Sequence, residues 1–163
     1  MLISILAMEA CKKSALSSDL GAAKWNVVDV VRDILGTEAV ALVQSDVEAG
    51  KTLIRHGEWA GFSPAVHGTM QDSMAELGIK PTSLPPVIEL LDLDASDAAS
   101  VAAAAHEACH AWLYQRFPEN NLYRDEAYTN RLAGEWVSAN LQGFQQHVAR
   151  EAILVSNIPY GLN

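Results

Sequence analysis

Apolar positions recur at helical spacing in residues 2 to 11. They recur again across residues 20 to 35, where Leu20, Ala23, Val27, Val28, Val31, Ile34 and Leu35 lie on one stripe and Gly36 supplies a stop. The spacing predicts two helices that cover a sheet. The pattern then changes: EAVALVQ (38–44) and KTLIRHGEW (51–59) are rich in Val, Leu, Ile and Thr and are separated by DVEAG, which predicts two strands of a hairpin. Ser63 and Pro64 read as a helix start, a hydroxyl cap with Pro in the first turn, and Gly78 as the stop of that third helix. KPTSLPP is then a loop. VIELLDLD (87–94) reads as a strand leading to the next helix, whose entry cap is Asp94 or Ser96.

That helix contains AAAAHEACHAW (102–112) and runs without Gly or Pro until Pro118, in the turn PENN. A second long helical stretch follows from about Tyr123 toward Leu154, with Gly134 and Gly143 marking kinks or breaks. The tail NIPYGLN is turn-like, and no internal repeat is present. The expected fold is α+β, with residues 1–163 forming a single domain.

Composition narrows the function classes. Of the 163 residues 50% are hydrophobic and 19% charged, enough for one domain with its own core. A net charge of -9 with eleven Lys and Arg argues against a nucleic-acid or anionic-membrane partner, because phosphate binding needs clustered cations; Lys12-Lys13 is the closest approach to a cluster. Two cysteines, Cys11 and Cys109, are too few for a disulfide framework and fit a reducing compartment. The apolar run in MLISILAMEACKK is short, with its lysines after it, so it reads as neither a signal peptide nor a transmembrane anchor and a cytoplasmic location is expected.

The chemistry lies in His106, Glu107 and His110, which fit H-E-x-x-H. Histidines four apart on a helix project from one face, so both imidazoles reach one Zn²⁺ ion while Glu107 sits beside it. Cys109 points about 100° around the helix from His110 and is read as a buried core residue, not a ligand. A catalytic zinc takes three protein ligands. The third is sought in DEAYTNRLAGEW (125–136), on a helix that folds back antiparallel. Glu126 is favoured, because Asn130 lies one turn on and can hydrogen-bond a ligand imidazole. Glu135 is the alternative, ahead of Asp125, Glu119 and His147.

HEACH followed by DEAYTN resembles the gluzincin arrangement of zincin metallopeptidases, in which H-E-x-x-H is followed by N-E-x-x-S-D. Glu126 matches the Glu ligand; Asp125 stands for Asn, Thr129 for Ser, and Asn130 for the Asp that orients a histidine. The form from Glu126 to Ala133 is also similar to the short ImmA/IrrE-type peptidases. The resemblance covers residues 106 to 133 in detail; the first 85 residues lie outside it, and 86–154 form the metal-site core. It implies a zincin-like fold, a small sheet with the H-E-x-x-H helix and a C-terminal helix carrying the third ligand.

The implied activity is zinc-dependent hydrolysis of peptide bonds. His106, His110 and Glu126 hold the metal, and Glu107 is the general base for the attacking water. Tyr128 and His147, with Tyr123, His56 and Tyr160, are candidates for stabilising the oxyanion, although each, like His67, has an ordinary packing or surface role as its plainer explanation. VIELLDLD is either a sheet edge on which an extended substrate adds or a plain core strand. A polypeptide is the expected substrate. Two other functions fit the same residues: a sensor or interaction module of metallopeptidase fold, and a delivered toxin or effector peptidase with a regulatory or immunity protein as partner.

Overall fold

The computed structural model describes residues 25–64 and 85–157. These residues form an α+β structure of four α-helices and a four-stranded sheet. The predicted helices over residues 2 to 11 and 65 to 77, and the tail beyond Asn157, lie outside the described residues.

Helix α1, Val27–Leu35, starts where Asn26 accepts a hydrogen bond from the Asp29 N–H (2.9 Å). It ends at Gly36, whose φ of 92° is one that glycine adopts without steric cost. Its valines are poor helix formers in isolation. Val27, Val28, Val30 and Val31 are nevertheless all buried, so packing of one face outweighs propensity.

The sheet contains β1 (Val40–Ala41), β2 (Thr52–His56), β3 (Gly61–Ser63) and β4 (Val87–Leu90), in the order β1-β2-β4-β3. β1 and β2 pair in parallel, which overturns the expected hairpin. Residues 38–59 carry strand-forming side chains, but composition does not fix strand direction, and the intervening segment returns the chain to run the same way. β2 also pairs parallel with β4, and β3 pairs antiparallel with β4. β4 therefore lies inside the sheet, and among the described residues β1 and β3 are its edges. Ser63 closes β3, and the helix expected to follow Ser63 and Pro64 lies outside the described residues.

Alternation along the strands decides what meets the helices. Ile54 and Ile88 are in register and belong to the main core, and Thr52 on the same face accepts a hydrogen bond from Gln115 (3.0 Å). Ala41, Leu53 and Val87 form a separate small cluster on the other face, where Arg55 and Glu89, also in register, make an ion pair. Phe62 is in register with Ile88 and packs against the main core. The three-residue edge strand thereby delivers an aromatic ring to the helix side of the sheet.

Helix α2, Ala98–Arg116, runs through the centre of the core. Its cap is Asp97, one residue beyond the expected Ser96, with the carboxylate accepting from the Ser100 N–H (3.0 Å) and hydroxyl (2.6 Å). The two hydrogen bonds from Ser100 hold the Asp97 carboxyl below its usual pKa. Ala102, Ala104, Ala105, Ala108 and Ala111 are fully buried; small side chains spread around the helix let neighbours approach from several sides.

The expected long C-terminal helix is two helices, α3 (Glu126–Asn140) and α4 (Gly143–Asn157). The break falls at Leu141 and Gln142, before Gly143 with φ 57°, while Gly134 stays inside α3. The Gln146 side chain donates to the carbonyls of Ser138 and Leu141, satisfying acceptors that the end of α3 exposes. Trp136, 1% exposed, donates from Nε1 to Asp33 (2.8 Å) and meets Trp25 edge-on, which ties α3 to α1. Among the described residues no helix is long and apolar enough to cross a membrane.

Candidate metal centre

The centre is assembled by the reversal between α2 and α3. Phe117 ends α2, Pro118 begins the first of two 3-10 turns, Pro118–Asn120 and Leu122–Arg124, and Asn121 between them adopts the left-handed conformation (φ 51°) that asparagine tolerates. Asp125 then caps α3 by accepting from the Tyr128 N–H (2.9 Å). Glu126 is therefore the first residue of α3, directed at the middle of α2.

His106, His110 and Glu126 each offer a ligand atom, all within 4.8 Å of one another, a group that can hold a metal ion. The two Nε2 atoms are 2.9 Å apart. One carboxylate oxygen of Glu126 lies 3.2 Å from His106 Nε2, and the other lies 3.4 Å from His110 Nε2. Ligands at zinc distances of about 2.0–2.1 Å in a tetrahedron stand roughly 3.3–3.4 Å apart, so an ion fits after the imidazoles separate by a few tenths of an ångström.

A hydrogen bond from the other side sets the tautomer of His110. His110 Nδ1 lies 2.6 Å from the carbonyl of Tyr123 and must donate to it, leaving the Nε2 lone pair facing the centre. The Thr129 hydroxyl donates to the Asp125 carbonyl (2.9 Å) and lies 3.3 Å from the same Nδ1 as a second acceptor. Burial chiefly, then the neighbouring His110, lowers the pKa of His106; Glu126 and Asn130 oppose the shift. The neutral, ligating form is favoured. Asn130, 4% exposed, thus interacts with His106, although Nδ1 of that ring makes no hydrogen bond of good geometry.

Glu107 is 8% exposed, and its carboxyl is pushed up to about 8, first by burial and then by the Glu126 carboxylate; a hydrogen bond from the Phe62 backbone N–H pulls the other way. It lines a cleft of about 450 Å³ together with the metal-ligand group, Gly61, Phe62, Pro64, Tyr123 and Arg124. Phe62 stacks parallel to His110, at 6.4 Å between ring centroids.

Other predicted residues lie apart. Glu135 faces Arg131 at 4.0 Å on the outer side of α3, with its side chain 40% exposed, and does not join the group. Asp125 serves as a cap, Glu119 is exposed in the 3-10 turn, and His56 and His147 are exposed on β2 and α4. Tyr128 packs on the core under Arg131 and does not line the cleft. Cys109 is buried and outside the group. His67 and Tyr160 lie outside the described residues. Sequence reasoning missed Phe62, Arg124 and the Tyr123 carbonyl; the first two sit outside any local motif, and a backbone acceptor leaves no mark on sequence.

Comparison of the chain with protein-family models, with curated proteins and with solved structures gave no match.

Proposed function

We propose that this protein is a zinc-dependent peptidase of zincin type, with a polypeptide substrate bound in the cleft beside β3. The observation that carries the reading is the carboxyl of Glu107, buried in the same cleft as the three ligand side chains and contributed by the residue next to His106. A site built only to hold a metal has no use for a second acidic group kept dry and off the ligand set.

Two imidazoles and one carboxylate are the donor set of a catalytic zinc with a further position free. Bound there, zinc supplies Lewis acidity, lowering the pKa of water from near 16 to about 7 and polarising a carbonyl. Beside that positive charge the Glu107 carboxyl would ionise more readily, because the Glu126 charge that adds to burial in raising its pKa would be offset. Glu107 takes the proton of the attacking water and delivers it to the leaving amine. The Phe62 N–H fixes the carboxylate for that transfer. The Phe62 ring, stacked beside His110, excludes water from one side of the ligands.

The test compares wild type with Glu107→Gln on a proteome-derived peptide mixture, with zinc content measured in both. Cleavage by wild type alone, at equal zinc, supports the peptidase. Identical product profiles across pH and added zinc would leave a metal-holding interaction domain as the better account.

A further inference from the structure

Among the described residues that line the cleft, Arg124 is the charged group that the proposed chemistry does not use. It is exposed and lines the same cleft as Glu107 and the ligand group. Its Nε–H donates to the Tyr123 hydroxyl (3.0 Å), and its guanidinium carbon lies 5.4 Å from the centroid of that ring. Tyr123 is itself fixed: its side chain packs edge-on to Phe62 and Tyr114, and its carbonyl holds His110. The cation is therefore seated against a wall of the site instead of sweeping through solvent.

Among the described residues no carboxylate forms an ion pair with Arg124. Glu126 faces the imidazoles and the Asp125 side chain caps α3. The two terminal guanidinium nitrogens are left to meet a ligand. Their planar fork matches a carboxylate in two parallel hydrogen bonds. A monoanion suits the place better than a phosphate dianion, because Glu126 and Glu107 already bring acidic groups to the same cleft.

We infer that Arg124 determines specificity by selecting substrates with a carboxylate next to the cleaved bond. The inference rests on the peptidase reading. It runs against the chain's net charge of -9, which taken alone disfavours acidic substrates, because a seated cation at contact distance outweighs screened charges far from the cleft. An Asp or Glu side chain and the free C-terminus of a peptide present the same group, and the test separates them.

Four peptides of one sequence carry Glu or Gln beside the expected bond, each with a free or an amidated C-terminus. Binding is read by fluorescence anisotropy on metal-free wild type, Arg124→Gln and Arg124→Lys; cleavage is read separately with zinc, and zinc affinity verifies that each site is intact. The expected result is roughly tenfold tighter binding of one carboxylate series by wild type, lost in Arg124→Gln and partly kept in Arg124→Lys. The series that shows the effect identifies the source of the carboxylate. Equal binding of all four peptides by wild type, or a preference that survives Arg124→Gln, overturns the inference. Cleavage without preference removes this inference and leaves the peptidase, whereas Arg124-dependent binding without cleavage removes the peptidase and keeps the carboxylate site.

Discussion

The imidazole Nδ1 of His110 and the carbonyl oxygen of Tyr123 lie 2.6 Å apart, and this bond joins the middle of α2 to the turn that launches α3. It fixes a tautomer and a ring plane before any metal arrives. The same turn sets Glu126 in position, so the orientation of one ligand and the location of another come from a single piece of backbone.

One zinc per chain is expected, with Glu126→Gln reducing affinity by more than about 100-fold, beyond the 10–100-fold typical of losing an outer partner. Glu135→Gln, altering a side chain that only meets Arg131, should stay within about twofold of wild type. Competition against a chelator of known affinity measures both. Equal losses would remove Glu126 from the ligand set.

Thr129→Val keeps the shape of a fully buried side chain but removes the oxygen beside His110 Nδ1. Zinc affinity should fall about tenfold, and the metal-free protein should lose about 1 kcal/mol of stability, the worth of one hydrogen bond, because the Asp125 carbonyl keeps its bond from the Thr129 backbone N–H and His110 Nδ1 keeps its bond to the Tyr123 carbonyl. Chelator competition and denaturant unfolding read the two effects separately. Unchanged affinity would show that the Tyr123 carbonyl alone sets the ring.

Glu107 gives the metal-free protein a specific dependence on pH. Its folded pKa of about 8 lies above the ordinary 4.5, so the folded state holds a proton that the unfolded state has released, and stability falls as pH rises through that window. His106, with its pKa lowered from 6.5, acts oppositely: the unfolded state binds its proton more readily, and stability rises with pH up to about 6.5. Between about pH 6.5 and 8 Glu107 acts without the opposing effect of His106, with a slope of at most about 1.4 kcal/mol per pH unit. Thermal unfolding of metal-free protein should show falling Tm across that range, and Glu107→Gln should abolish the fall. A flat wild-type profile would show that Glu107 is already ionised.

Asp97→Ala should destabilise the protein by about 1 kcal/mol through loss of the α2 cap. The Asp97 carboxyl has its pKa lowered on folding, so its contribution is present above the unfolded value and disappears as pH falls through the folded one. Denaturant unfolding at neutral and at strongly acid pH should therefore show the difference between variant and wild type shrinking in acid.

Local rules carried some of these features and not others. Helical spacing put His106 and His110 on one face, and an acidic residue one turn before Asn130 pointed to Glu126, because both relations are internal to a helix. The H-E-x-x-H helix was legible despite lacking a polar face, since its alanines need no partner to be helical. Strand direction was not legible: β1 and β2 look alike whether they run parallel or antiparallel, and only contacts with β4, more than thirty residues on, decide. Gly61–Ser63 is too short to carry a periodic signal, yet it places Phe62 over the site through its register with Ile88. Asp97 was obscured by company, because Asp94, Ser96 and Asp97 are all competent caps within four residues.

The ligands His110 and Glu126 stand close in sequence, and α3 is already anchored to the body of the fold through Trp136 and its bond to Asp33. An ion bridging α2 and α3 would close only a short loop, so it removes little entropy from the unfolded chain. The scaffold is therefore expected to stay folded without a bound ion, unlike small domains in which the ion nucleates folding. Loading and removal of an ion would then be reversible steps on a finished frame, and chelator treatment is expected to leave the protein resistant to proteolysis.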